Sequence, residues 1–242
     1  MQKVSMNAVE LEETLNLWRY MDLSKFISLI GEKALWLARA DTFRDKHEGR
    51  FPDDMRIAIE KAYANLGSNK NFLVKDADDF QDYLQKNTFI SCWHKNFDEN
   101  MVMWAIYGRD NNALAIQTTV KRIMDSVVDT SKLSGYSLIL KSVSYQRPEE
   151  ISSELRYEDC FFIKRPHFRF EDEVRICLDT YFPENPSKTT PYGHYLPVCI
   201  NGLIERILIH PDSPKWYEDA IKSIKKEYKI KAPIEVGRYG NN

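Results

Sequence analysis

The chain lacks most of what would assign it at a glance. Glycine is scarce, 9 residues in 242, and no Gly-rich phosphate loop, dinucleotide fingerprint, Gly-x-Ser-x-Gly elbow or His-Glu-x-x-His run is present. P-loop, Rossmann, serine-hydrolase and zincin chemistries therefore lack their residues. Cysteine is scarce too. Cys92, Cys160, Cys177 and Cys199 lie far apart with no Cys-x-x-Cys pair, which argues against a zinc site or disulfide framework and for reduced structural thiols. Neither sign of charge dominates: the net charge is −2, so nucleic acid and anionic membrane are not indicated as partners. No apolar run approaches the roughly 18 residues of a membrane span. The opening Met1 to Glu13 has no apolar stretch of the signal-peptide kind, and the expected location is cytoplasmic.

What is present suits one folded domain. Apolar residues make up 43% of the chain and aromatics 12%, enough for a sizeable core. The expected organisation is a polar, partly helical lead-in over 1–16 and a single α+β domain over 17–242. Short apolar runs predict strands near 17–20, 34–38, 88–93, 113–118, 138–145, 173–180, 194–200, 204–209 and 234–236. Helical spacing predicts helices near 23–31, 53–66, 76–86, 119–128, 149–163 and 213–228, with a helix buried on all sides after Asp98. Gly31 is expected to end the first helix. Pro214 is expected at the first position of the last, capped by Asp212 or Ser213. Helices cluster in the N-terminal half and consecutive strands come late, which points to a mixed, mostly antiparallel central sheet.

The most informative stretch is 161–179. Phe168, Phe170, Val174, Ile176 and Leu178 share one parity, with Asp172 as the exception; Arg169, Glu171, Glu173 and Arg175 share the other. On a strand this makes one apolar face and one face with two carboxylates between two guanidiniums. A solvated strand face gives the same pattern. Two carboxylates on one face repel, so one takes a raised pKa unless an arginine offsets it. If Glu173 is kept for chemistry, neutralising it should be neutral or stabilising, while removing Arg175 should cost stability.

Three further clusters carry chemistry. Arg19, between Trp18 and Tyr20, could grip a phosphate or carboxylate, or be an ordinary surface arginine. The loop from Phe43 to Gly49 holds Asp45, His47 and Glu48, types suited to acid–base work or a hard cation. Its spacing matches no established metal motif, no metal site is expected, and Asp45 as a turn cap is the plain alternative. Cys92 and His94 share a strand face, the geometry of a Cys–His pair, although a lone cysteine is more often a small buried hydrophobe. Trp104 and Tyr107, on the following helix, are either core or stacking platforms.

In this order the clusters resemble the bacterial domain-of-unknown-function family 2971. Its members open with an aromatic-Arg/Lys-Tyr strand, here Trp18-Arg19-Tyr20. A Phe-Asn-Asp-Pro-x-Glu loop follows; this chain keeps Phe43, Asp45, Glu48 and Gly49 but has Arg44 for Asn and Lys46 for Pro. A Cys-bearing strand and a Met-Trp-x-x-Tyr helix are matched by Cys92, Met103, Trp104 and Tyr107. A Tyr-Glu-x-Glu-x-Arg strand is matched by Phe170 to Arg175, with Phe for Tyr. The layout is also similar to ADP-ribosyltransferase-like folds. That resemblance implies that Arg19 grips NAD, that Tyr20 or Tyr107 stacks on the nicotinamide, and that Glu173 is the catalytic carboxylate with Glu171 beside it. Phe43, Asp45, Glu48, Trp104 and Arg175 complete the expected ligand site. Arg19, the 43–49 loop, Tyr107 and Glu171–Arg175 should then converge on one cleft. The implied function is a nucleotide- or NAD-binding glycosidic transferase or hydrolase, with NAD as cofactor and a small-molecule nucleotide as partner. The alternative is a non-catalytic binding or regulatory module, such as a defence- or toxin-associated protein whose partner is another protein.

Overall fold

The computed structural model describes residues 6–45, 47–65, 76–108, 111–133, 136–152, 155–181 and 191–238. In chain order the strands are β1 Asn7–Val9, β2 Asn16–Asp22, β3 Ala34–Arg39, β4 Thr88–Lys95, β5 Ala113–Thr119, β6 Ser137–Ser142, β7 Ser144–Tyr145, β8 Ile163–Lys164, β9 Glu173–Asp179, β10 Gly193–Pro197, β11 Arg206–Ile209 and β12 Ile234–Val236. The α-helices are α1 Leu23–Glu32, α2 Asp53–Asn65, α3 Ala77–Asn87, α4 Met101–Tyr107, α5 Val120–Ser126, α6 Ile200–Leu203 and α7 Lys215–Glu227. This is the expected α+β domain. Ten of the strands form one mixed sheet along the path β1-β6-β9-β4-β2-β5-β11-β12, with β3 and β10 branching from β4. Its pairings are antiparallel except β1 with β6 and β11 with β12.

Strand β4 is the axis. On one side it pairs with β9 from Thr88↔Asp179 to His94↔Glu173. On the other it is shared. Ile90 and Phe89 pair with Ala38 and Arg39 of β3, and His94 and Lys95 pair with Trp18 and Leu17 of β2. The sheet therefore forks at Ser91–Trp93, with α1 joining the two prongs.

Because side chains alternate, this register sorts the residues onto two faces. Leu17, Met21, Phe89, Trp93, Val174, Ile176 and Leu178 belong to one large apolar cluster together with Phe26, Leu29 and Ile30 of α1. The opposite face carries two smaller clusters. One gathers Ile90 and Cys177 with Phe51, Met55, Phe80 and Phe161; the other gathers Trp18 and Tyr20 with Met103 and Trp104 of α4. Between them, on the same face, stand Cys92, His94, Glu173 and Arg175.

Local chemistry explains where the elements stop. Asp22 caps α1, its carboxylate accepting from the Lys25 N–H at 2.8 Å. The helix passes through Gly31 and is closed instead by Lys33, at φ 50°, whose N–H reaches the Leu29 carbonyl. Asn100, rather than Asp98, caps α4 by accepting from the Val102 and Met103 amides. Pro214 is the cap of α7 and not its first residue. The expected helix over 149–163 is replaced by 3-10 turns at Pro148–Glu150 and Tyr157–Phe162. Asn7–Val9, too short to show a pattern, adds a strand where a lead-in was expected.

The largest correction falls in the central stretch. Residues Pro166–Glu171 form a 3-10 turn, and the strand begins only at Glu173. Pro166 fixes the first φ of the turn, and Asp172, at φ 34°, ends it. The apparent alternation through Phe168 and Phe170 is therefore not a strand, and Phe170 is exposed.

Gly49 tests how tightly the 43–49 loop is seated. Its φ is 69°, and an added Cβ would lie 2.4 Å from Cε1 of Phe161. Gly49→Ala is expected to lower stability by about 1–3 kcal/mol through backbone strain and overpacking. Urea denaturation checks this; an unchanged midpoint would mean that Phe161 moves aside freely.

Candidate active site

Arg175 is the centre of the face between the two small clusters. It lies on β9, is 0% exposed, and has every nitrogen engaged. Nε and Nη2 donate to Glu173 Oε2 at 2.9 and 2.7 Å, and Nη1 donates to the Phe161 carbonyl at 2.7 Å. Nη2 also lies 2.8 Å from Glu48 Oε2, an ion pair in which the N–H is not aligned for a hydrogen bond. The 43–49 loop and the 157–162 turn are thus both tied to the strand.

Lys164 is the second cation. The pairing of β8 with β7 sets it opposite Tyr145. Its ammonium contacts Glu171 Oε2 directly, Glu48 Oε1 at 3.3 Å and Glu173 Oε1 at 3.7 Å. The Tyr107 hydroxyl donates to Glu171 Oε1 at 3.2 Å, and the Tyr145 hydroxyl accepts from the Glu173 N–H at 2.8 Å. Three carboxylates therefore share two cations in a buried cluster, Glu171 and Glu173 each being only 6% exposed.

That shortage of positive charge separates the two glutamates. Burial pushes both upward. For Glu173 the charges of Arg175 and Lys164 outweigh burial and hold it below the usual carboxylate value. For Glu171 burial and the neighbouring charge of Glu173 prevail over Lys164, and its pKa is raised. Burial, then the carboxylates of Glu171 and Glu173, push Tyr107 well up, so its hydroxyl keeps its proton. Burial and Glu173 do the same to Cys92, which removes the thiolate that a Cys–His nucleophile needs.

The expected site is only partly assembled here. Glu48, Tyr107, Glu171, Glu173 and Arg175 converge. Asp45 adjoins them through the next residue along from Lys164: Arg165 Nη2 meets its two oxygens at 3.1 and 3.2 Å. Asp45 also caps the turn at the His47 N–H, 3.0 Å away. Burial raises Asp45, but the His47 amide and Arg165 outweigh it and lower its pKa. Phe43 packs against the cluster of Phe51 and Phe161. Trp104 is fully buried, its indole donating to Glu99 at 2.8 Å, and is core rather than a platform. Tyr20 is buried edge-on against Trp104 at 4.8 Å, and its hydroxyl accepts from the Asn100 N–H.

Arg19 does not join the cluster. One residue off Trp18 and Tyr20, it points to the opposite face, where its guanidinium contacts the Ser91 hydroxyl and lies over the Trp93 ring at 5.6 Å. The sequence pattern does not mark Lys164 or Tyr145, and it offers His94 only as the strand neighbour of Cys92. Lys164 lies inside the stretch singled out, but nothing local marks it as buried; only the β7–β8 pairing does.

A groove of about 800 Å³ opens on the loop side of the cluster. Glu48 and Lys164 form its inner wall, with Asp45, Arg165, Arg50 and Arg56 around them. Among the described residues, no group of three or more His, Cys, Asp and Glu is arranged to hold a metal ion.

Arg175 and Lys164 beside Glu173 make its charge stabilising whether or not it takes part in chemistry, so a neutral or stabilising substitution is no longer the expected outcome there. The folded pKa of Glu173 lies below the usual 4.5, so its charge contributes stability above pH 4.5 that is lost as pH falls through the folded value. Glu171 is raised above 4.5, so its ionisation costs stability as pH rises from there. Glu173→Gln is expected to destabilise by about 1–3 kcal/mol at neutral pH and Arg175→Ala by about 3–5. Glu171→Gln should preserve or raise stability and flatten the decline above pH 4.5. Urea denaturation across the acid-to-neutral range decides it; equal losses in Glu171→Gln and Glu173→Gln would show that both carboxylates are net attracted.

No family model matches this chain, and neither does any curated protein. Two solved structures of DarT from Thermus sp. 2.9 are similar to it. The complex with ADP-ribosylated ssDNA is 11% identical, over 98% of this chain and 97% of that one, with a TM-score of 0.40. The complex with carba-NAD+ is 10% identical, over 94% and 97%, also with a TM-score of 0.40. Likeness at that level assigns no function, which has to be read from the residues of this chain.

Proposed function

We propose that the Tyr107–Glu171–Glu173 wall is the catalytic side of a nucleotide-binding site that transfers or hydrolyses at a glycosidic carbon. The observation that carries this reading is the unequal pairing of two neighbouring carboxylates: Glu173 takes two N–H groups of Arg175 with Lys164 3.7 Å away, whereas Glu171 meets only Lys164 and the Tyr107 hydroxyl, which displaces the two in opposite directions. Neighbouring acids pushed apart in this way can divide the work of proton carrier and charge stabiliser. Glu173, kept anionic by Arg175 and Lys164, would stabilise positive charge developing on the sugar. Glu171, raised by burial, would carry the proton to or from the leaving or accepting group. Tyr107, 43% exposed, offers its ring and hydroxyl to the ligand. Arg50, exposed in the groove wall, is suited to a phosphate, a role that Arg19 cannot serve from the other face. The groove has the volume of a small-molecule site and touches the cluster through Glu48 and Lys164, not through Tyr107, Glu171 or Glu173.

A second reading has its own support. Glu171, Glu173 and Arg175 are paired and nearly sealed, while Phe97, Met101 and Val102 expose apolar surface at the start of α4. A binding or regulatory module would show this combination, with the ion cluster as its internal brace.

Purified protein separates the two. On the enzymatic reading, NAD or another nucleotide raises the melting temperature and is consumed. Glu173→Gln then loses on the order of a hundredfold or more in turnover while still binding. If a broad nucleotide panel including NAD shifts no melting temperature and none is consumed, the enzymatic reading is wrong and the module reading stands.

A further inference from the structure

His94 lies in the same wall and is left incomplete by the fold. It stands on β4 opposite Glu173, is 3% exposed, and has Nδ1 2.6 Å from the Glu171 backbone carbonyl. A carbonyl oxygen only accepts, so Nδ1 carries the proton and Nε2 is a bare acceptor. Nε2 is buried and has no hydrogen-bond partner among the described residues. Burial first of all lowers the imidazole pKa, which keeps the ring neutral. Buried polar atoms are nearly always satisfied, and an exception calls for an explanation. The ring on one side is Tyr20, 6.3 Å away between centroids. The carboxylate of Glu171, the residue whose carbonyl meets Nδ1, takes the Tyr107 hydroxyl.

We infer that His94 Nε2 is the acceptor for an N–H or O–H of the ligand, such as a sugar hydroxyl or a carboxamide, bound at the Tyr107–Glu171 wall. The inference rests on the reading of that wall as a ligand site. The backbone of Glu171 fixes the imidazole tautomer, and the side chain of the same residue is the proposed proton carrier. Ligand orientation and carboxylate position are thereby set through one residue. Tyr107 is the exposed member of the wall.

Long-range proton–nitrogen NMR of the histidine rings reads this without requiring turnover. In the free protein His94 should show a protonated Nδ1 and a bare Nε2. Adding NAD should move the Nε2 resonance in the direction of an accepted hydrogen bond. His94→Asn keeps a donor for the Glu171 carbonyl and removes the acceptor from the Nε2 position, its own amide oxygen lying nearer the backbone. It should leave the melting temperature near that of the parent and weaken NAD binding about tenfold, the equivalent of one lost hydrogen bond. If NAD binds while the Nε2 resonance stays put and His94→Asn binds as tightly as the parent, the inference falls and the ligand site survives. A protonated Nε2 in the free protein overturns the inference by itself. If neither NAD nor any other nucleotide of the panel alters the histidine spectrum or the melting temperature, the site and the inference fall together.

Discussion

A buried guanidinium with every nitrogen engaged constrains most of this structure. Arg175 is removed from water, and a charge in that position is tolerated only if it is paired and hydrogen-bonded. Its partners come from three segments: Glu173 on its own strand, Glu48 in the 43–49 loop and the carbonyl of Phe161. The loop and the turn are irregular and would otherwise be free to shift over the sheet. Arg175 fixes their distance from β9, and Gly49 lets the loop pass close over Phe161. Such a network need not add net stability. Its effect is to make one arrangement much better than its neighbours.

The cluster has a built-in imbalance. Glu48, Glu171 and Glu173 face Lys164 and Arg175, so one negative charge is in excess where water cannot screen it. Arg175 lies against Glu173 and Glu48 but not Glu171, so the excess falls on Glu171. Its contacts are Lys164 and the neutral hydroxyl of Tyr107. A uniformly paired set would be a passive brace. This set holds one carboxylate charged and leaves another easier to protonate, which is why the enzymatic reading places proton transfer on Glu171 and charge stabilisation on Glu173.

The sheet supplies the geometry. Strand β4 carries Ile90 into one small cluster and sets His94 beside Tyr20 of the other. Cys92, between them, pairs with Arg175 on β9. The polar groups are thus seated between two apolar blocks on a strand bonded along its full length on one side. Where β4 forks, the opposite face takes Arg19, Ser91 and Trp93 instead. A single step of parity decides that Arg19 and Glu173 cannot contact one ligand from the same side of the sheet.

The sequence by itself determined the α+β class and the existence of most elements, because apolar runs and helical periodicity are local signals. It also determined that Glu173 and Arg175 share a face, which follows from their spacing on one strand. It could not reveal that Glu171 sits on a 3-10 turn. Phe168 and Phe170 continue the alternation of β9 apart from Asp172, and the left-handed backbone at Asp172 breaks it. Lys164, Tyr145 and Glu48 reach the cluster through contacts distant in the chain, and no local pattern marks them as buried. Tertiary structure alone decided the register of β2 on β4, and with it the face of Arg19. It also decided which glutamate gains the cations, because charge stabilisation depends on distances between segments rather than on the order of residues along the chain.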